Sequence, residues 1–363
     1  MKIMFVTPSM YFGGAERVMS LLCNEGVRVG NEVVLTIMDD NRVVSYPLDE
    51  KVQIEFMQSA RFDRIGNLNT LIKTLRNIII SHKPDVIISF FNATMTFVWL
   101  AARNLSIPLI FSERNDPNNN IKGWKSKLLQ HCALKKSDHI VFQTEGARSY
   151  YGKKVRKKSS VITNPFSTDN LPGDYLGERE KTIVSVGRLS PQKNQKLLIE
   201  AFALVEKKYP EYNLVIYGEG PLRKELEALI EEKGLAEKVF LPGSYKNVLE
   251  KIKSASLFAF SSDFEGLPNA LIEAMAVGLP CVSTDCSPGG ARELINDYTN
   301  GIVVPRGDIN ELAKACEFVL SDAVRSEAMG KEAKKIVNDM TVYKVFSKWY
   351  SVFCVCVCKG ERV

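Results

Sequence analysis

Short apolar runs alternate with amphipathic stretches along the whole chain, and this alternation limits the possible folds more than any other feature. In the first half, the strand-like runs are KIMFVTP, EVVLTIM, DVIISF and PLIFSE. The second half restarts the rhythm with KTIVSVG, NLVIYG, KVFLPG, SLFAFSS and PCVSTD. Strands that alternate with helices pair in parallel beneath a cover of helices. The sequence therefore predicts an α/β protein with two doubly wound, Rossmann-like sheets.

A polar segment rich in Pro, Gly and Asn, VITNPFSTDNLPGDYLGERE, lies between the two halves and has the composition of a linker. At 363 residues the chain is long enough for two domains. We place the N-terminal domain at residues 1–165 and the C-terminal domain at residues 175–342. Open α/β sheets bind ligands beyond the carboxyl ends of their strands. The two domains are therefore expected to face a central cleft lined by the loops after the strands.

Several classes of protein are excluded by composition. No stretch reaches the roughly 18 to 20 consecutive apolar residues of a spanning helix, so any membrane contact is expected to be peripheral. The first apolar run is too short for a signal peptide, which predicts a cytoplasmic location. The eight cysteines and three histidines lack the spacing of metal ligands. We therefore predict no metal site.

Positive charge is concentrated in the first half. Residues 1–164 hold 23 Lys and Arg against 14 Asp and Glu, a net charge of +9, while the remainder holds 25 against 28, or −3. The excess lies in residues 121–127, in Lys135 and Lys136, and in residues 153–158. Such clusters attract anionic lipids, diphosphates or nucleic acid, although a solvated surface without a partner explains them equally well. No nucleic-acid-binding motif accompanies the charge, so nucleic acid is not an expected partner.

Glycine-rich turns follow strands in both halves. Gly13 and Gly14 precede a helix, whose N-terminal N–H groups favour an anion; ordinary loop geometry accounts for the two glycines as well. Gly218 and Gly220 repeat the strand-turn-helix pattern, and Pro221 suits a first helical turn. Neither turn has the complete G-x-G-x-x-G spacing of a dinucleotide site. The pattern thus argues against NAD.

Two cations follow the first strand of the second half. Arg188 and Lys193 are five residues apart across a loop that opens the next helix, so both can reach one point beyond the strand end. A guanidinium offers a bidentate fork and an ammonium a compact charge, which together suit a diphosphate. The alternative is a pair of unrelated surface cations.

The segment EGLPNALIE is the most informative. Glu265 lies in a loop after a strand, Pro268 can take the first position of a helix, and Glu273 follows about two turns on. Sugar hydroxyls are suitable donors to two such carboxylates. The N–H groups of Glu265, Gly266 and Leu267 are expected to face a phosphate or a sugar. A capping glutamate plus an ordinary helical one would show the same spacing.

The motifs GGAER, VGRLSPQKN, GEGPLRKELEALI and EGLPNALIEAMAVGLPCVSTD, in this order, resemble family 4 of the glycosyltransferases, which have the GT-B fold. The resemblance covers nearly the whole chain and is most specific in residues 182–305. It implies transfer of a sugar from a nucleotide donor with retention of anomeric configuration, without a metal or another cofactor. The absence of an Asp-x-Asp metal motif agrees with this.

The resemblance also assigns roles. Glu265 would contact the donor sugar, Glu273 the ribose, and Arg188 and Lys193 the diphosphate. The further donor-binding candidates are Gly14, Gly218, Gly220, Pro221, Gly266, Leu267 and Asn269. In this family, retention is explained by front-face attack, in which the leaving diphosphate helps to deprotonate the acceptor. The protein then positions the reactants and stabilises the departing charge.

One position departs from the family pattern. Many relatives carry a His after the strand PLIFSE, and Arg114 stands there instead. Arginine stays protonated and cannot act as a general base. We expect Arg114 to stabilise charge, with Glu113 and Asp116 as nearby polar groups of open function.

The motifs GGAER, DVIISF and SERNDP are most similar to bacterial enzymes that extend lipid-linked oligosaccharides, including N-acetylgalactosaminyltransferases and enzymes of O-antigen or capsule synthesis. This implies a UDP-linked hexose or N-acetylhexosamine donor and a lipid-diphosphate-linked saccharide acceptor. It also implies peripheral binding to the anionic inner face of the cell membrane. The last helix, at about residues 343–358, would cross back to the first domain.

Two other functions stay open. A GT-B-fold sugar-nucleotide epimerase would share both sheets but would need acid and base residues around the sugar, and none of the three histidines stands in a suitable loop. A non-catalytic sugar-nucleotide-binding protein would bind UDP and transfer nothing.

Overall fold

The computed structural model describes residues 1–39, 41–57, 65–90, 92–119, 124–169 and 171–360. The chain divides into two compact units. Unit 1 comprises Met1–Pro165 and Met340–Val363, and unit 2 comprises Phe166–Asp339. The division falls inside the predicted linker, and the last helix belongs to unit 1.

Unit 1 contains a sheet of seven parallel strands in the order β3-β2-β1-β4-β5-β6-β7. The strands are β1 (Lys2–Thr7), β2 (Glu32–Ile37), β3 (Gln53–Phe56), β4 (Val86–Phe90), β5 (Leu109–Ser112), β6 (His139–Phe142) and β7 (Ser159–Val161). Successive side chains point to opposite faces of a strand. Phe5 and Met4 of β1 accordingly belong to separate apolar clusters on the two faces.

Helices cover both faces of this sheet. They are α1 (Gly14–Arg28), α2 (Ile65–His82), α3 (Asn92–Ala101), α4 (Trp124–Lys136), α5 (Glu145–Ser149), α6 (Lys153–Arg156) and the last helix, α14 (Val342–Gly360). The last helix packs against α1 and β4. Its Trp349 and Phe353 are fully buried, so the end of the chain completes the core of unit 1.

Unit 2 contains six parallel strands in the order β10-β9-β8-β11-β12-β13. The strands are β8 (Glu180–Val186), β9 (Asn213–Tyr217), β10 (Val239–Gly243), β11 (Ala255–Phe260), β12 (Cys281–Thr284) and β13 (Ile302–Val304). The helices are α7 (Gln195–Val205), α8 (Arg223–Glu232), α9 (Val248–Ile252), α10 (Asn269–Ala276), α11 (Ile309–Leu320), α12 (Ala323–Lys334) and α13 (Ile336–Asp339), and a 3₁₀ turn spans Pro191–Lys193.

The strand order creates one crevice in each unit. In unit 1, the strands that follow β1 are added on one side of it, and the strands that follow β4 are added on the other side. The strands of unit 2 are arranged in the same way around β8 and β11. Ligands of open α/β sheets bind at the carboxyl ends of the two strands where the winding direction reverses. The loops after β1, β4, β8 and β11 are therefore the places to look for function.

Two predicted helix starts are wrong by one or two residues. Pro268 is the N-cap of α10 and has an extended backbone, so that Asn269 takes the first helical position. Pro221 precedes the N-cap of α8, Leu222, because the chain there forms a turn in which the Leu222 N–H bonds the carbonyl of Leu189. Within the described residues, no helix has the length and apolarity needed to cross a bilayer.

Candidate functional site

An ion pair between Lys193 and Glu265 lies at the crevice of unit 2. Lys193 ends the 3₁₀ turn after β8, and Glu265 lies in the loop after β11; these loops meet because the two strands are neighbours. Lys193 Nζ is 2.5 Å from Glu265 Oε1, and both side chains are largely buried. The hydroxyl of Ser262 donates to the same oxygen over 3.1 Å. Within the described residues, Glu265 Oε2 accepts no hydrogen bond, so a ligand hydroxyl can use it.

Bonds between loops hold this pair in place. The amide of Gln192 donates to the carbonyl of Phe264 over 2.9 Å, and the Asp263 N–H donates to the carbonyl of Gln192 over 2.9 Å. The hydroxyl of Thr284 donates to the carbonyl of Ser262 over 2.6 Å. Sequence reasoning missed Ser262 and these supporting bonds, for which the only signal was their position directly after strands.

Arg188 lies in the same loop as Lys193 but differs in its environment. Its side chain is exposed and, within the described ranges, forms no hydrogen bond or ion pair. The backbone around it is fixed, because the Gln195 amide donates to its carbonyl over 2.9 Å and the Leu189 N–H donates to the carbonyl of Glu219 over 3.0 Å. An exposed cation thus stands on a loop whose backbone is held by hydrogen bonds and which also carries the buried Lys193.

The glycines after β9 allow two loops to pack directly against each other. A Cβ at Gly218 would lie 1.9 Å from the carbonyl oxygen of Gly187, and a Cβ at Gly220 would lie 2.2 Å from that of Leu189. Gly218 also has a φ of 153°. The structure therefore gives both glycines a packing role, which brings their loop and Pro221 against the segment that carries Arg188. Their contact with a nucleoside stays a prediction.

The start of α10 corrects one prediction. The Glu265 N–H does not face a ligand, because it donates to the carbonyl of Ser287 over 2.8 Å where Phe264 and Ser287 form a parallel bridge. The Gly266 N–H has no acceptor among the described residues. Leu267 is buried; Asn269, the first residue of α10, and Glu273, one turn on, are half-buried. The predicted anion site thus retains the Gly266 N–H but loses that of Glu265.

In unit 1, α1 begins at Gly14 with Gly13 as an N-cap that offers no side-chain hydrogen bond. The Gly13 N–H donates to the hydroxyl of Tyr46 over 3.2 Å. Glu16 folds back over Gly13, where a Cβ would lie 2.2 Å from Glu16 Oε2. Burial raises the pKa of Glu16, partly offset by a hydrogen bond to its own backbone. A carboxylate of the protein thus already occupies part of the helix N-terminus where Gly14 was predicted to meet a phosphate.

Arg114 follows β5 and is a buried cation. It is only 8% exposed; its Nη2 donates to Asn164 Oδ1 over 2.6 Å, and its guanidinium carbon lies 4.5 Å from the centre of the Phe90 ring. Its Nε has no hydrogen-bond partner, and within the described residues it forms no ion pair. Burial lowers the pKa of Arg114 to about 9, although Glu113 acts in the opposite direction. The side chain therefore stays charged at neutral pH, and Glu113 favours that charge although the two form no ion pair within the described residues.

The neighbours of Arg114 are engaged elsewhere or incompletely satisfied. Glu113 accepts a hydrogen bond of 3.1 Å from the hydroxyl of Tyr151. Asp116 holds a turn by accepting bonds from Asn118 and Asn119. The amide of Gln143 donates to Asn164 Oδ1 over 2.5 Å, while the Gln143 Oε1 is buried without a partner. The carboxyl end of this sheet thus combines a buried cation that forms no ion pair within the described residues with an unused acceptor.

Comparisons with known proteins agree with these two units. The family model "Glycosyltransferase Family 4" matches residues 12–170, and the family model "Glycosyl transferases group 1" matches residues 171–336. The chain is similar to the N-acetylgalactosamine-N,N'-diacetylbacillosaminyl-diphospho-undecaprenol 4-alpha-N-acetylgalactosaminyltransferase of Campylobacter jejuni, with 30% identity over 90% of this chain and 92% of the relative.

A second relative is a Campylobacter jejuni enzyme, the GalNAc-alpha-(1->4)-GalNAc-alpha-(1->3)-diNAcBac-PP-undecaprenol alpha-1,4-N-acetyl-D-galactosaminyltransferase. The two chains are 29% identical over 96% of this chain and 97% of the relative. Among solved structures, Anabaena HepE in complex with UDP superimposes with a TM-score of 0.84 at 18% identity, covering 98% of this chain and 100% of HepE. These matches confirm the predicted fold. The chain belongs to family 4 of the glycosyltransferases and is a glycosyltransferase of the GT-B fold.

Proposed function

We propose that this enzyme transfers a hexose or N-acetylhexosamine from a UDP-sugar to a lipid-diphosphate-linked saccharide in bacterial surface glycan synthesis, with retention and without a metal. The observation that carries the donor half is the Lys193–Glu265 ion pair beside the unpaired Arg188 at the crevice of unit 2. The acceptor half draws on the two Campylobacter relatives, whose names specify undecaprenol-linked substrates. Such an acceptor would be met at the inner face of the cell membrane.

The two cations of the donor site would make different contacts: Lys193 with both Glu265 and the diphosphate, and Arg188 with the diphosphate alone. Lys193 has three N–H donors, and one is engaged by Glu265. The other two and the guanidinium fork of Arg188 are available to the diphosphate, whose negative charge grows as the bond to the sugar breaks. Preorganised cations stabilise such developing charge without further reorganisation. In this proposal they do the work that a bound metal does in other transferases.

Glu265 is suited to hold the sugar. Its Oε1 is anchored by Lys193 and Ser262, and its Oε2 is free of protein donors within the described residues. A carboxylate fixed at one oxygen can accept a hydrogen bond from a sugar hydroxyl at the other, which orients the anomeric carbon. Glu273 would bind the ribose hydroxyls from α10, and the Gly266 N–H would approach the phosphates.

On the acceptor side, Arg114 would bind negative charge near the reacting groups. A buried guanidinium outside an ion pair is costly in free energy, and a ligand that brings negative charge reduces that cost. The unused acceptor on Gln143 fits a hydroxyl beside that charge. Phe12, in the loop after β1, is strongly exposed and touches Tyr46 edge-on, which offers an apolar platform for a sugar ring.

The test is an incubation of the purified enzyme with a panel of UDP-sugars and a detergent-solubilised lipid-linked acceptor. Mass spectrometry should find the extended acceptor together with UDP, and nuclear magnetic resonance should find the same anomeric configuration in donor and product. Conversion of one UDP-sugar to its isomer without acceptor would instead identify an epimerase. Tight UDP-sugar binding without UDP release on any acceptor would identify a binding protein.

A further inference from the structure

Asn194 joins the 3₁₀ turn after β8 to α7 with an unusual backbone. Its φ is 44° and its ψ is 48°, in the left-handed region that asparagine tolerates better than most residues other than glycine. A helix N-cap ordinarily has an extended backbone, as the N-caps of α10, α11 and α12 do. Because the left-handed residue directly follows Lys193, it determines how the end of the turn meets the start of α7.

The side chain of Asn194 uses both ends of its amide. Its Oδ1 accepts a hydrogen bond of 3.3 Å from the Leu197 N–H, which caps α7. Its Nδ2 donates to Asp263 Oδ1 over 3.1 Å, in the loop after β11 that also carries Glu265. These partners fix the orientation of the amide, because an N–H can only donate and an ionised carboxylate can only accept. Capping requires the first bond alone and does not account for the second.

Both loops that this second bond joins are also held at other points. The carbonyl of Lys193 accepts a hydrogen bond of 3.0 Å from the hydroxyl of Ser261, and the Lys193 ammonium lies 5.1 Å from the centre of the Phe260 ring. The carbonyl of Asp263 accepts from the Ser287 N–H over 3.1 Å. The bond between Asn194 and Asp263 therefore joins two segments that are each attached to the ends of neighbouring strands.

We propose that Asn194 is a positioning residue for sugar transfer. Through Asp263 it holds the turn that ends at Lys193 against the loop that carries Glu265, so that the ion pair keeps its place when the donor binds. The proposal rests on the proposed function, in which the ammonium contacts the diphosphate and the carboxylate contacts the sugar. Asn194 would act through these two groups and not on the reacting atoms.

The ion pair does not fix its own position. Lysine has a flexible four-carbon stem, so Lys193 can keep its bond to Glu265 after the two loops have moved apart. The pair would then stand in the wrong place for the donor, and a displacement of about 1 Å can lower a rate about 10²-fold. A short amide on a constrained backbone, such as that of Asn194, restricts the distance between the loops far more closely.

Asparagine combines three properties that this position uses. Glycine adopts the left-handed backbone but has no amide. Aspartate tolerates that backbone and caps helices as well as asparagine does, but an ionised carboxylate cannot donate to Asp263. A role in capping and a role in positioning therefore predict different results for Asn194→Asp, since only the bond to Asp263 is lost.

The first experiment compares Asn194→Asp with the wild type. If the residue is only a helix cap, melting temperature and turnover should both be preserved. In our proposal two carboxylates face each other where the 3.1 Å contact was, the loops separate, and kcat for transfer falls about 10- to 100-fold. UDP affinity, measured by calorimetry, should fall less than kcat, because the transition state depends most on the placement of Lys193 and Glu265.

The exchange Asn194→Asp/Asp263→Asn is a rescue test. The carboxylate at position 194 can then accept both from the Leu197 N–H and from the amide at position 263, which restores the bond between the loops in the reverse direction. We expect the double variant to recover kcat to within a few-fold of the wild type. Asp263→Asn alone keeps an acceptor for Asn194 and should lose little. A double variant as slow as Asn194→Asp contradicts the proposal.

A second cap in unit 2 separates folding from positioning. Asp308 caps α11 by accepting from the Glu311 N–H over 3.0 Å, and α11 is about as long as α7. Asp308→Ala should lower the melting temperature and leave kcat unchanged, whereas Asn194→Ala should lower both. Asn194→Gly should regain melting temperature relative to Asn194→Ala without regaining kcat. Wild-type kcat in Asn194→Gly would show that the backbone alone matters, and the role of the amide would be wrong.

Hydrogen exchange separates this proposal from the proposed function, because it needs no substrate. The Asp263 N–H donates to the carbonyl of Gln192 across the two loops, so its exchange reports their separation. Exchange should be faster in Asn194→Asp and return to the wild-type rate in Asn194→Asp/Asp263→Asn. This result in an enzyme that transfers no sugar supports the contact between the loops and contradicts the proposed function alone. Unchanged exchange and unchanged kcat in Asn194→Asp contradict the positioning role alone.

Discussion

The first six strands of each unit have the same order in the sheet. The two units differ in whether a buried cation forms an ion pair with the protein. At the crevice of unit 2, Lys193 is neutralised by Glu265 at 2.5 Å. At the carboxyl end of the unit 1 sheet, Arg114 is as deeply placed yet forms no ion pair within the described residues. The same scaffold therefore holds one buried cation that is paired before a ligand binds and one that forms no ion pair within the described residues. We expect the first to be preorganised and the second to gain stability on binding.

The strongest test of this contrast is Lys193→Ala. Without the ammonium, Glu265 becomes an uncompensated carboxylate beside the diphosphate, so both charge stabilisation and sugar positioning are lost. We expect the transfer rate to fall roughly 10²- to 10³-fold, the range for loss of one preorganised donor. The matched control is Lys196→Ala, an exposed lysine one turn on, which should turn over like the wild type.

The same ion pair predicts non-additive effects. The variant Glu265→Gln should also be severely impaired, but Lys193→Ala/Glu265→Gln should lose little more than the worse single variant, because groups that act as a unit are not additive. If the double variant lost transfer rate by the product of the two single losses, the two side chains would act separately. The ion pair would then not distinguish unit 2 from unit 1.

Arg114→Gln should reduce kcat/KM for the acceptor about 10- to 100-fold, the range for a charge-assisted hydrogen bond. Because the substitution removes a buried charge that forms no ion pair within the described residues, the melting temperature of the free enzyme should not fall. UDP affinity, measured by calorimetry, should stay near the wild-type value. A large drop in melting temperature together with normal turnover would show that Arg114 is structural.

Gly218→Ala tests the packing of loops in unit 2. The new Cβ would meet the carbonyl of Gly187, so the loops must separate at a cost of about 1 to 3 kcal/mol. We expect a lower melting temperature and weaker UDP binding. Gly234→Ala is the control: that glycine has a φ of 69° but open space around it, so it should lose stability without losing UDP affinity.

The smallest expected effect is that of Phe12→Ala in unit 1. Loss of an exposed aromatic contact should raise KM for the acceptor about 2- to 10-fold, in line with the strength of aromatic contacts. Acceptor-independent hydrolysis of the UDP-sugar should be unchanged in the same preparation. A change in hydrolysis with an unchanged acceptor KM would assign Phe12 to the donor instead.

The alternation of apolar runs was sufficient to predict both sheets, because long buried strands such as β1, β8 and β11 carry a strong pattern. Four strands of three or four residues, β3, β6, β7 and β13, were not predicted, because so short a run gives only a weak pattern; β5 and β12 are as short but were predicted. Helix starts were misplaced at Pro221 and Pro268, where proline tolerates both the cap and the first turn.

The residues of the donor site were predicted one by one, but their interactions were not. The Lys193–Glu265 pair spans 72 residues of sequence and exists because β8 and β11 are adjacent, which no local pattern specifies. The Glu265 N–H was assigned to a ligand because its acceptor, the carbonyl of Ser287, lies in a loop after another strand. That Arg114 is buried without an ion pair within the described residues is likewise a property of the folded sheet.

The return of the last helix to unit 1 has a consequence for synthesis. Trp349 and Phe353 cover an apolar face that contains Phe5 and Phe90, and the ribosome makes them only after the whole of unit 2. During translation, unit 2 can fold while this face is still open. The nascent chain therefore exposes an apolar surface until α14 has been made, and a chain truncated before α14 would be prone to aggregation even though both sheets are complete.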